Sequence, residues 1–184
     1  HAVLPSSQSN GPGNRAVIWL QGCSLSCPGC FNPETHPHQG GNPISIIDLT
    51  NWTQSLASDI EGITISGGEP LQQLKPLQLF LAQLKGQSPN LSIILFSGYS
   101  WPEIQKMPSA KYIFPYLDVL IAGRFEKNHR IARDLRGSTD KTIHFLSDRY
   151  HIDDLMMTPV SEIIIEPDGQ IIFSGIDPMV WNKD

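Results

Sequence analysis

Gly22-Cys23-Ser24-Leu25-Ser26-Cys27-Pro28-Gly29-Cys30-Phe31-Asn32 holds every cysteine of a chain of 184 residues. The spacing is Cys-x3-Cys-x2-Cys, on a stretch whose Pro28 and Gly29 predict a loop. Three thiolates this close in sequence can converge on one inorganic centre. A cubane [4Fe–4S] cluster usually takes four cysteines. With three, one iron lacks a protein thiolate and can accept an outside ligand, as a catalytic metal site keeps an open position. The run that leads into the loop, Ala16–Leu20 (Ala-Val-Ile-Trp-Leu), is continuously apolar and β-rich. It predicts a strand buried on both faces, the mark of a parallel sheet.

The flanking chain supports that architecture. Ala2–Asn14, rich in Pro, Ser and Gly, reads as an extended arm or loop, and Phe31–Pro43 as loop. Ser45–Ile60 places Ile46, Leu49, Trp52, Leu56 and Ile60 on one stripe and predicts a helix ended by Gly62. Gly62–Ser66 is a second strand. A helix follows from near Leu74, with Pro76 in its first turn and Leu77, Phe80, Leu81 and Leu84 on its buried face. Leu91–Phe96 predicts a third strand, Trp101–Met107 a short helix, Leu117–Ala122 a fourth strand and Thr142–Leu146 a fifth. Glu162–Glu166 and Gln170–Phe173 flank Pro167-Asp168-Gly169, a hairpin signal because Asp-Gly accepts positive φ angles.

Strands alternating with helices predict parallel βα units. The expected fold is α/β: a partial (βα)n barrel or open curved sheet of four to six units with a C-terminal β-hairpin. A full eight-fold barrel takes about 250 residues. One domain is expected, with an arm over 1–14, a βα core over 15–146 carrying the cysteine loop 22–32, and an extension over 147–184. Active-site loops of such folds sit at the carboxyl ends of the strands. The cysteine loop, Gly67-Gly68-Glu69-Pro70, Ser97-Gly98-Tyr99 and Gly123-Arg124 each follow a predicted strand. They are therefore expected on one face.

Composition narrows the function classes. Net charge is −5 with no Lys/Arg run, which argues against a nucleic-acid substrate. No apolar run approaches the ~18 residues of a membrane span. The first residues lack a basic region followed by an apolar stretch. An odd number of clustered cysteines reads as metal binding in a reducing cytoplasm rather than a disulfide framework.

Taken together, the motifs resemble those of radical S-adenosylmethionine (SAM) enzymes. Within that superfamily they are most similar to the small activating proteins of glycyl-radical enzymes, in particular of anaerobic ribonucleotide reductase. The resemblance is carried by Gly11-Pro12-Gly13, Gln21-Gly22, the three cysteines and Cys30-Phe31-Asn32-Pro33-Glu34-Thr35. It continues through Ser66-Gly67-Gly68-Glu69-Pro70, Ser97-Gly98-Tyr99, Gly123-Arg124-Phe125-Glu126 and Leu135-Arg136-Gly137-Ser138. It implies that Cys23, Cys27 and Cys30 hold a [4Fe–4S] cluster whose open iron takes the methionine part of SAM. Reductive cleavage of SAM would then give a 5′-deoxyadenosyl radical that abstracts hydrogen from a polypeptide. It further implies that Gly67, Gly68, Glu69 and Pro70 bind the SAM amino group, with Ser97, Arg124 and Asn32 as further SAM contacts. Arg124 is a candidate for the SAM carboxylate; its structural alternative is an ion pair with Glu126 or Asp118.

Two departures stand out. The superfamily often has an aromatic residue before its third cysteine, where this chain has Gly29 with Phe31 as a substitute. Glycyl-radical activators usually have an acidic residue before Gly-Pro-Gly, where this chain has Asn10. The rival readings are a radical SAM maturase of a ribosomally made precursor peptide, splicease-like and acting with a peptide-binding partner protein, and a non-catalytic iron–sulfur module or a Cys3His zinc site using His36 or His38. In either catalytic reading a partner protein for substrate recognition and an external one-electron reductant are expected. The four tryptophans, Trp181 included, read as packing residues.

Overall fold

The computed structural model describes residues 1–177. In chain order the elements are β1 (Ala2–Ser7), β2 (Arg15–Leu20), α1 (Ile46–Ser55), β3 (Gly62–Gly67), α2 (Leu74–Gln87), β4 (Ser92–Ser97), α3 (Trp101–Gln105), β5 (Val119–Ala122), β6 (Arg130–Arg133), β7 (Arg136–Ser138), β8 (Thr142–Phe145), α4 (Ile152–Met156), β9 (Ser161–Ile165) and β10 (Ile171–Gly175). Trp181 lies outside the described residues.

One six-stranded sheet, in the order β1-β2-β3-β4-β5-β8, carries the fold. Strands β2 to β5 are parallel neighbours, as their continuous apolar runs require when both faces are covered. Period-2 alternation divides each strand between two layers. Ile63, Ile65, Ile93 and Leu95 join Leu77, Phe80, Leu81 and Leu84 of α2 on one side. Ile94, Val119 and Ile121 meet Leu135, Tyr150 and Leu155 on the other. Helix α1 starts where Ser45 Oγ accepts from the Asp48 amide at 3.0 Å. It ends at Ser55, earlier than its apolar stripe suggests, but Leu56 and Ile60 still pack into the core.

Four features depart from the sequence expectation. The N-terminal arm is a strand: β1 pairs antiparallel with β2, and the register shift between Leu4 and Ser7 accommodates Pro5 at a sheet edge. The fifth core strand, β8, runs antiparallel to β5 with Ala122 opposite Thr142, because no crossover helix returns the chain to the other end of the sheet. The segment between them instead forms the β6–β7 hairpin. Helix α4 follows β8, and its Leu155 is fully buried. The C-terminal hairpin forms as expected, with Ile165 opposite Ile171.

At the amino-terminal end of the parallel strands, Arg15 is fully buried. Its guanidinium donates to Thr64 Oγ1 and Ser92 Oγ, both at 2.8 Å, to Tyr150 Oη at 3.2 Å, and to the carbonyls of Ile63 (2.6 Å), Ser92 (3.2 Å) and Pro12 (3.2 Å). It ties β2, β3 and β4 together, and Tyr150 to them.

Candidate functional site

The cysteine loop leaves β2 and is closed at its base by two backbone bonds. The Gly22 amide donates to the Thr35 carbonyl at 2.8 Å and the Cys23 amide to the His36 carbonyl at 3.0 Å. At its far end the Cys30 amide donates to the Cys27 carbonyl at 3.1 Å, with Gly29 at φ +72°. This is a Pro-Gly turn whose third position needs a left-handed backbone. The turn explains why no aromatic residue precedes the third cysteine. Phe31 instead lines the cavity, packed on Phe125 with ring centroids 4.6 Å apart. All three cysteines are free and half-buried. Burial pushes the Cys30 thiol up, and Cys27, Cys23 and Glu34 add to the shift, against one backbone hydrogen bond at Asn32.

The loop after β3 is locked against the cysteine loop by backbone contact. The Gly68 amide donates to the Leu20 carbonyl and the Glu69 amide to the Gly22 carbonyl, both at 2.8 Å. A Cβ at Gly68 would stand 2.4 Å from the Gly22 carbonyl oxygen, and one at Gly67 would stand 2.5 Å from the Leu20 amide. Only glycine permits this approach. The two glycines therefore serve loop-to-loop packing before any ligand arrives. Gln72 adds a clasp, accepting from the Ser24 amide at 3.1 Å and donating to Ser24 Oγ at 2.7 Å.

Glu69 is the brace between this loop and the one after β4. Its carboxylate is 1% exposed. It accepts from the Leu71 amide (2.9 Å), Ser97 Oγ (2.9 Å) and the Gly98 amide (2.7 Å). Burial raises its pKa, and these three donors and Lys141 pull it back. Ser97 Oγ in turn accepts from the Tyr99 amide at 3.0 Å. The polar side chains of this motif pair are thus largely satisfied within the protein.

Gly67, Gly68, Glu69, Ser97, Asn32 and the three cysteines line a single cavity of about 350 Å³, within the range of small-molecule sites. Pro70 and Arg124 are not among its lining residues. Pro70 is buried at the start of a 3-10 turn. Arg124 donates to Glu103 and to the Gly98 carbonyl, the latter at 3.2 Å, and stacks over Tyr99. Its ion pair is with Glu103, in place of the expected Glu126 or Asp118. That pair holds the Glu103 carboxyl down to about 2. Arg136 is engaged by Asp134, at 2.8 and 2.9 Å. Asn10 lines the cavity and donates to Ser7 Oγ at 2.8 Å and Ser174 Oγ at 2.7 Å.

The cation that does line the cavity is Lys141, a residue the sequence reading passed over. It directly precedes β8, and the antiparallel register sets it beside Gly123, at the carboxyl end of β5. Its ammonium donates to the Gly123 carbonyl at 2.5 Å, its one hydrogen bond among the described residues. Burial lowers its pKa, opposed by Cys27, Glu69 and Cys30. The signal that could have found it is the direction of β8.

The donor set fits an iron–sulfur cluster: three thiols on the wall of one cavity, which a half-buried cation also lines. Among the described residues no group of three or more His, Cys, Asp or Glu side chains is placed to hold a single metal ion. His38 packs its ring against Gly22, and His36 lines the cavity. The histidines left without a role find ordinary partners: His129 bonds Asp140 at 2.9 Å, His144 stacks on Trp101 at 4.2 Å, and His151 caps α4. No helix of the described residues is long and apolar enough to cross a membrane.

Comparison with known proteins agrees with this donor set. Residues 9–144 match the family described as a 4Fe-4S single cluster domain. The chain is similar to proteins named anaerobic ribonucleoside-triphosphate reductase-activating protein. With that of Enterobacteria phage T4 it is 31% identical over 77% of this chain and 90% of the relative. With that of Haemophilus influenzae it is 30% identical over 76% and 93%. With that of Escherichia coli K12 it is 28% identical over 79% and 97%.

Proposed function

Because the chain belongs to the 4Fe-4S single cluster domain family, in company with the activating proteins of anaerobic ribonucleoside-triphosphate reductase, we propose that it is a radical SAM activase that generates a glycyl radical on such a reductase. The observation that carries this reading is the single cavity: three thiols, the two packed loops after β3 and β4, and the half-buried Lys141 all border it. An electron carrier has no need of such a cavity beside its cluster. Cys23, Cys27 and Cys30 would hold the cluster and leave one iron open to SAM. When bound, such a cluster would supply the one-electron chemistry, passing an electron from an external reductant to SAM for reductive cleavage to methionine and a 5′-deoxyadenosyl radical.

The chain's own residues do the positioning. Lys141, rather than Arg124, is the cation placed for the methionine carboxylate, since its ammonium retains donor capacity toward the cavity. Glu69 holds the Ser97–Gly98 loop against the cavity while Gly67 and Gly68 hold the cysteine loop to β3. Phe31 and Phe125 form an apolar wall beside Asn32, whose side chain makes no protein hydrogen bond among the described residues. The wall suits the adenine and keeps water from the radical. The sheet is read as the open wall of a partial (βα)n barrel, with four parallel strands delivering their loops to one end. A reducing cytoplasm is the compartment that suits three free, half-buried thiols.

The test is anaerobic reconstitution with SAM, a strong reductant and the reductase. Deoxyadenosine release and a glycyl-radical signal in electron paramagnetic resonance are expected, both lost on Cys27→Ala. An intact iron–sulfur chromophore with neither product would overturn the reading.

A further inference from the structure

The β9–β10 hairpin presents a largely apolar face to solvent. Its register sets Ile171 opposite Ile165 and Phe173 opposite Ile163, so these four side chains share one face. Ile165 is 72% exposed, Ile171 54%, Ile163 44% and Phe173 39%. The opposite face fastens the hairpin to the body. The Glu162 carboxylate accepts from the Gln8 amide at 2.9 Å, from Ser9 Oγ at 2.9 Å and from Ser7 Oγ. Ser174 Oγ accepts from Asn10 at 2.7 Å. The outward direction of the apolar face is therefore fixed by polar anchors on the other side.

Phe173 belongs to this face and also lines the cysteine cavity. The face is thus continuous with the cavity. The hairpin also lies beyond residue 144, where the family match ends, so it is an addition to the cluster-holding unit. Among the described residues each of its strands pairs only with the other, which leaves backbone donors and acceptors along the outer edges.

We infer that this face seats the polypeptide on which the cavity acts. An extended apolar segment of that protein lies over Ile165, Ile171 and Ile163 and enters the cavity past Phe173. The inference rests on the hydrogen-abstraction reading of the cavity and names how its target arrives. An extended chain suits the face because its alternate side chains repeat at the same ~7 Å interval as those of the hairpin strands. A second copy seated through the same face would lie against Phe173 and shut the cavity to any target.

The test uses Ile165→Glu/Ile171→Glu in the full chain, with Ile165→Ser as the milder variant. Both sites are exposed, and circular dichroism checks the fold. Two quantities are read side by side under anaerobic conditions: the dissociation constant for the purified anaerobic ribonucleoside-triphosphate reductase of the same organism, and the affinity for SAM without the reductase. The double variant is expected to bind the reductase at least tenfold more weakly, Ile165→Ser to shift in the same direction, and both to keep their SAM affinity. Equal reductase affinity in wild type and double variant overturns the docking surface, as does a wild type that binds SAM but no reductase. So does a wild-type dimer in sedimentation that the double variant dissolves, since the occupant is then a second copy. A wild type that binds the reductase with the tenfold difference but binds no SAM removes the chemistry assigned to the cavity and leaves the docking surface standing.

Discussion

Two cations sit at opposite ends of one sheet, Arg15 fully buried and Lys141 half-buried, and they are equipped differently. Arg15, at the start of β2, spends its guanidinium on six neutral acceptors from Pro12, Ile63, Thr64, Ser92 and Tyr150. Lys141, beside the carboxyl end of β5, has one acceptor among the described residues, the Gly123 carbonyl, and lines a cavity. Burial lowers the pKa of both. A buried charge costs several kcal/mol unless its surroundings replace the lost water. Arg15 is compensated in full by the protein, so its role is to hold the sheet together. Lys141 is left with donors to offer, which an anionic ligand would complete. The same physics thus separates the end of the sheet that carries stability from the end that carries function.

The sharpest break between the two ends is expected from Cys27→Ala. It should abolish deoxyadenosine release outright while leaving the urea midpoint near wild type. Arg15→Met should do the reverse. Several acceptors lose their donor at once, and about 1–3 kcal/mol for each group left unsatisfied gives a destabilisation of ~3 kcal/mol or more, read by urea denaturation. Lys141→Met sharpens the contrast. Removing a cation without a full set of partners should leave stability within about 1 kcal/mol. SAM affinity by anaerobic calorimetry should fall ten- to a hundredfold, as expected for a charge-assisted hydrogen bond worth ~1.5–3 kcal/mol.

Glu69 supplies a pH test at the cavity end. Its carboxyl is raised by burial, so the folded state holds its proton more tightly than the unfolded chain. Stability should therefore decline as pH rises from the ordinary carboxylate range through the raised value, and Glu69→Gln should remove that decline. The smallest effect belongs to Arg124→Ala. Glu103 is held to about 2 in the wild type, so the pair's contribution is present above the ordinary carboxylate value and is lost as pH falls toward 2. Both side chains are more than a third exposed, and the pair should be worth under ~1 kcal/mol. Carbon-detected titration should show Glu103 moving back toward 4.5 in the variant while SAM affinity stays unchanged.

Much of this arrangement was legible in the sequence, because β2 to β5 are continuous apolar runs and continuous runs mean burial on both faces. That alone put the cysteine loop, Gly67–Glu69 and Ser97–Gly98 at one end of the sheet. What failed was direction. Read as another parallel strand, Thr142–Leu146 would begin at the far end of the sheet, and Lys141 with it. Its actual reversal depends on the β6–β7 hairpin, whose turn uses Asp134 and Leu135 at φ +49° and +64°. Two-residue turns of that kind are ordinarily signalled by Asn-Gly or Asp-Gly, and a buried leucine in that position gives no local sign. Arg124 was assigned to the ligand because it follows a strand. Its true partner, Glu103, already bonds Ser100 in the capping box of α3, a placement visible only once that helix is set against β5.

The two bonds at the base of the cysteine loop, Gly22 to Thr35 and Cys23 to His36, bear on the order of assembly. A zinc finger is unfolded until its ion arrives. Here the scaffold of the ligand loop is closed by main-chain bonds and by Gln72, and its three ligands are so near in sequence that little chain entropy remains for a metal to remove. Main-chain bonds thus meet much of the cost of closing this loop, and a cluster seated on it would have correspondingly little ordering left to do.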